Sequence, residues 1–166
     1  METGLNRILT IILIVLASFI LCVTGISFAV KKAAPGKNIR TADPDPGQVA
    51  NLSTPDNTKL AAYTGLGRLR TVTKPDARRK DDIGTPVVIT PWFTYADGDT
   101  VSYEEMARKS AMMQSIITQY FTQYTESELR RAGEEKIKAD LLEQLNARFS
   151  LGKIRSVYFS DYIFLE

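Results

Sequence analysis

The sequence predicts an α+β domain over residues 60–166, and three observations carry that class. Pro86–Tyr95 (PVVITPWFTY) and Ile154–Leu165 (IRSVYFSDYIFL) are dense in β-branched and aromatic residues, which pack well on a pleated surface. Between them, residues 102–149 carry apolar side chains at helical spacing. Leu66–Val72 (LGRLRTV) adds a short strand ahead of both. The predicted order is strand, strand, helix, helix, strand, with two helices on a small sheet.

Each element has its own signal. Lys74–Gly84 (KPDARRKDDIG) is charged and has no apolar period, so it reads as a solvated loop. Pro91 cannot donate to a ladder, which predicts an edge position or a bulge for the strand that contains it. Asp97-Gly98-Asp99 supplies a turn. Ser102, with Glu105 three residues later, is a potential capping box, and Glu104 lies in the same first turn. Behind it Met106, Met113, Ile116, Ile117, Tyr120, Phe121 and Tyr124 share one face at 3.6-residue spacing. Thr125 and Glu128 repeat the cap pattern, and Gly133 interrupts the piece that follows. Ile137, Leu141, Leu142, Leu145 and Phe149 line a second apolar face, with Gly152 as its expected C-cap.

Upstream of the domain the composition changes twice. Residues 8–30 (ILTIILIVLASFILCVTGISFAV) contain no Asp, Glu, Lys, Arg, Asn, Gln or Pro. As a helix this run reaches roughly 34 Å, against a hydrocarbon core of about 30 Å, so a membrane span is expected. A cleaved secretory signal is the alternative, with small residues at Ser27 and Ala29. The run exceeds the roughly 7–15 residues of a signal, and only Glu2 and Arg7 are charged ahead of it. Residues 31–59 are rich in Pro, Gly, Asp, Asn, Ser and Thr and bury too little apolar surface to offset their ordering entropy, so they read as a flexible tether. Lys31, Lys32, Lys37 and Arg40 follow the span. The positive-inside rule would keep that flank cytoplasmic, but the rule weakens for long translocated domains, and charge leaves the sidedness open.

The residues also exclude chemistry. The chain has no histidine, and Cys22, its single cysteine, lies inside the expected span. Ser-His-Asp and Cys-His arrangements and thiolate metal sites therefore cannot form. Asp81-Asp82, Glu104-Glu105 and Glu134-Glu135 are adjacent acid pairs that a carboxylate-dependent hydrolase would use. Neighbouring helical residues point about 100° apart, and the Glu pairs sit where a helix start favours negative charge. Asp97-Gly98-Asp99 lacks the further ligands of a calcium loop. Gly65-Leu66-Gly67 has Arg70 where a dinucleotide loop needs its third glycine. Arg78-Arg79-Lys80 is flanked by Asp76, Asp81 and Asp82, and the formal net charge is only +2, which gives nucleic-acid binding little support. The sequence assigns no catalytic, cofactor-binding or metal-binding residue, no cofactor and no small-molecule substrate.

Thr125, Glu128, Leu129, Gly133, Leu141, Asn146, Gly152, Lys153, Ile154, Val157, Tyr158, Phe159, Ser160, Asp161 and Ile163 follow one another in a recognisable order. A Thr-capped "eL" step, a glycine and a helix closing on Asn lead through a "G-k-I" turn into a "V-y-F-t-d" strand. Over about the last 45 residues the chain resembles the FliL family of flagellar basal-body-associated membrane proteins. LGRLRTV and the loop KPDARRKDD depart from the usual middle of that family, which suggests a divergent member or a paralogue, of the kind found in spirochetes.

The resemblance implies a short cytoplasmic N-terminus at 1–7, an inner-membrane anchor at 8–30, and a periplasmic domain at 60–166 with a stomatin-like fold. It implies a non-enzymatic motor protein that gathers as a homo-oligomeric ring beside the stator proteins MotA and MotB and supports torque. The rival reading is a stomatin-like membrane scaffold unconnected with flagella.

Overall fold

The structure is a computed structural model that describes residues 42–52, 54 and 58–165. Among these residues no helix is long and apolar enough to cross a membrane. The expected N-terminus at 1–7, the expected span at 8–30 and the tether through residue 41 lie outside them.

The sheet is built on its longest strand. β1 (Leu60–Tyr63), β2 (Leu69–Val72), β3 (Pro86–Ala96) and β4 (Ser156–Phe164) form one antiparallel sheet in which β3 pairs with each of the others. β4 runs along β3 from Val87 to Thr94. β1 pairs with Phe93–Ala96 and β2 with Pro86–Ile89, so they share the other edge of β3 end to end. Thr64–Arg68 loops out between them, opposite Thr90–Trp92.

β3 is thus the central strand and not an edge, which corrects one of the two expectations for Pro91. The other holds: the β3–β4 register shifts between Thr90 and Pro91. Pro91 is tolerated in a central strand because it sits where both neighbouring ladders are irregular.

The helices are α1 (Thr100–Arg108), α2 (Ser110–Gln123), α3 (Glu126–Ala132) and α4 (Glu134–Asn146). The expected long first helix breaks at Lys109, and Gly133, at φ 82°, separates α3 from α4. Period-2 alternation divides β3 between two faces. Val87, Ile89, Phe93 and Tyr95 meet Met113, Ile117, Phe121, Leu141 and Leu145 in the core, closed by Val157 and Phe159 from β4. Val88 and the fully buried Trp92 and Thr94 occupy the opposite face.

β1 lies in a stretch of the expected domain to which the sequence assigns no element. LAAY is too short and too poor in β-branched residues to announce a strand by itself. Part of the expected tether also differs from a free chain. Pro46–Asn51 forms a 3-10 helix, and Ala50, Asn51 and Leu52 line a cleft of about 360 Å³ with Leu60 and Asp97.

Candidate functional site

The residues singled out by sequence take structural places. Thr125 caps α3 as expected: its side chain accepts from Glu128 N–H while Glu128 accepts from Thr125 N–H. Leu129, Leu141, Ile154, Val157 and Phe159 are buried. Asn146 ends α4 with a reciprocal pair to Ile154, donating through Nδ2 to the Ile154 carbonyl and accepting Ile154 N–H on Oδ1, each at 2.9 Å. An amide side chain thereby copies a strand pairing and turns the chain from α4 towards β4.

Gly152 is not a C-cap, because α4 ends at Asn146 with Ala147 as cap. It is needed for closeness instead. A Cβ at Gly152 would lie 1.9 Å from Ser102 Oγ and 2.7 Å from Ser102 Cβ. The capping box expected at Ser102 and Glu105 is also corrected. Asp99 is the N-cap of α1, taking Ser102 N–H at 2.9 Å and Ser102 Oγ–H at 2.5 Å. These bonds, the hydroxyl first, hold its pKa below the usual carboxylate value.

Glu105 turns inward. It is 2% exposed and accepts from Lys109 Nζ and from the N–H groups of Ser150, Leu151 and Gly152 at 2.6–3.0 Å. Lys109 and this amide cradle hold its pKa down to about 2. Glu105 and Asn146 together fix both ends of the α4–β4 connection. Sequence spacing could not reveal the Glu105 cradle, because its partners lie more than forty residues away.

The acid pairs do not converge as a hydrolase would require. Glu104 is exposed while Glu105 is consumed by the cradle. Glu134 and Glu135 both face Lys138. Asp82 braces its own loop, accepting Asp76 N–H at 2.6 Å and Gly84 N–H at 3.1 Å, bonds that lower its pKa. Among the described residues no cluster of acid or thiol side chains has the grouping of a metal site.

What remains for recognition is surface. On the sheet face away from the helices, Val72, Ile163 and Leu165 are about half-exposed. Cross-strand register brings them together around Pro86 and Val88. Beside them Asp161 accepts from Thr90 Oγ1 at 2.8 Å and from Arg68 at 3.0 Å, a bridge across β3 from β4 to the β1–β2 connection. Arg78, Arg79 and Lys80 are exposed on the braced loop, next to Ile83. A polar rim around apolar side chains is the ordinary make-up of a protein-contact surface.

Asn146→Ala should lower stability by about 2 kcal/mol, because it leaves one buried N–H and one C=O of Ile154 without their partner. Urea denaturation of the variant checks this, and an unchanged midpoint would assign the turn to Glu105 alone.

The family model of flagellar basal body-associated protein FliL matches residues 87–164, from the second residue of β3 to the last of β4. A flagellar protein FliL of Treponema pallidum (strain Nichols) is 25% identical over 108 residues, which are 64% of this chain and 56% of that protein. The chain thus covers little more than half the length of that relative.

Proposed function

We propose, on the match of residues 87–164 to the FliL family model, that the chain is a divergent member of that family: a non-enzymatic flagellar basal-body protein that associates with the stator units and supports torque and motility. The observation that carries this reading is the family match across the whole β3–helix–β4 unit. The matched motif is used for capping, core packing and the α4–β4 turn, which is the economy of a binding scaffold. Residues 8–30 anchor it in the inner membrane, residues 31–59 tether it, and residues 60–166 lie in the periplasm beside MotA and MotB. Single-span anchors gather around a stator by lateral association, where effective concentration strengthens weak contacts. A homo-oligomeric ring of such domains needs two different surfaces that close, and the Val72–Ile163–Leu165 patch suits one of them.

The test is deletion of the gene in its own host, scored for swimming, with the tagged protein imaged in the same cells. Impaired swimming, with the protein focused at motor positions, is expected. Normal swimming with signal spread over the envelope would overturn the reading.

A further inference from the structure

We propose that Asp43, Lys138 and the Phe159 amide form a releasable clasp that sets the length of the tether between the expected anchor and the domain. Asp43 Oδ1 lies 2.6 Å from Lys138 Nζ on α4, and Oδ2 accepts Phe159 N–H from β4 at 2.7 Å. Both side chains of the ion pair are about nine-tenths buried, and the ammonium also lies 5.9 Å from the Phe159 ring centroid. The residues joined are 95 and 116 apart in sequence, so the clasp pins a distant segment onto the fold. The rest of that segment is held more lightly: Pro46–Asn51 rests against β1 without a fully buried residue. The flanking Asp-Pro-Asp-Pro sequence favours extended backbone and disfavours a continuous helix.

Opening the clasp does not strand a charge. Removing one partner of a buried pair is ordinarily costly because the other is left uncompensated. Here Lys138 keeps Glu134 and Glu135, each already 3.0 Å away. Glu135 is 91% exposed at its side chain and links the ammonium to solvent. The lysine has reserve partners, so the contact is built to release. Closed, about a dozen residues separate residue 30 from the clasp, a reach of at most about 40 Å; once the clasp opens and Pro46–Asn51 lifts from β1, about thirty residues do, a reach of at most about 100 Å. The length consequence rests on the reading of residues 8–30 as a membrane anchor, whereas the clasp itself does not.

Hydrogen exchange on the full chain tests the clasp. In Asp43→Asn, exchange over residues 42–52 should rise tenfold or more, while α2 and α4 keep their protection. Unchanged exchange there, or equal loss throughout α4, would overturn the proposal. Failure of Asp43→Asn to fold would also overturn it, because Glu134 and Glu135 should hold Lys138. In a Glu134→Gln, Glu135→Gln background the same substitution should become far more damaging than alone, and simple additivity would remove the reserve-partner argument. Spin labels at Ala34→Cys and Gln144→Cys, in a Cys22→Ser chain in nanodiscs, read the length. Release in Asp43→Asn should lengthen and broaden their separation, and an unaltered distribution would refute the length change. Alkaline extraction of the membranes tests the anchor separately.

Discussion

Glu105→Gln lowers the melting temperature of the domain by roughly 10 °C, the range of a broken buried polar network. Glutamine keeps the shape but presents one carbonyl oxygen where two carboxylate oxygens receive three backbone N–H groups and an ammonium. Its NH₂ group would face donors. The pH dependence gives an independent signature. Glu105 has a folded pKa of about 2 against an ordinary 4.5. Its stabilisation is therefore fully present above the unfolded value and is lost as pH falls from about 5 towards 2. Thermal melts of the wild type should show that slope, and Glu105→Gln should flatten it. Parallel curves for the two proteins would show that the carboxylate charge contributes nothing.

Gly152→Ala destabilises by about 3 kcal/mol, at the upper end of overpacking costs. The added methyl would meet not only Ser102 Oγ but Ser102 Cβ and Cα, at 2.7 and 2.9 Å. Ser102 cannot swing aside, since its hydroxyl is bonded to Asp99 and its backbone belongs to α1. Adding Ser102→Ala should recover only part of the loss, because the Cβ contact persists. Gly133→Ala is the control: it carries positive φ but nothing lies within 4 Å of the new methyl. It should cost less than Gly152→Ala in chemical denaturation, and the reverse order would mean that backbone strain outweighs the clash.

How far the sequence reveals this protein depends on the range of each interaction. The strands at Pro86–Tyr95 and Ile154–Leu165, the Thr125–Glu128 box and the break at Gly133 are local patterns, and all four are present in the structure. Leu141, Leu145 and Ile137 show their burial by spacing alone. Glu105 looks like a cap by position, yet it is claimed by amides at 150–152. Gly152 looks like a helix stop, yet it serves close packing against α1. Asp43 lies in a stretch whose composition suggests a free chain, yet its contacts with α4 and β4 bring it onto the domain. The surface patch of Val72, Ile163 and Leu165 was equally hidden. It depends on register between strands about ninety residues apart, which no window of sequence contains.

β3 pairs with every other strand, and this has a consequence for how the domain matures. Its longest ladder is made with β4, which is synthesised some sixty residues later. Loop closure of that length must precede the reward, so the sheet cannot be completed until β4 has emerged. In the interval, Thr85–Ala96 is a stretch of twelve residues without a formal charge, rich in β-branched and aromatic side chains and with an open edge. Such a segment is a template for pairing with neighbouring nascent chains. Pro91 sits in its middle and denies one amide to any intruding strand, acting as a gatekeeper until β4 arrives. The irregularity that the finished sheet absorbs at this position is thus the same feature that keeps the unfinished one soluble.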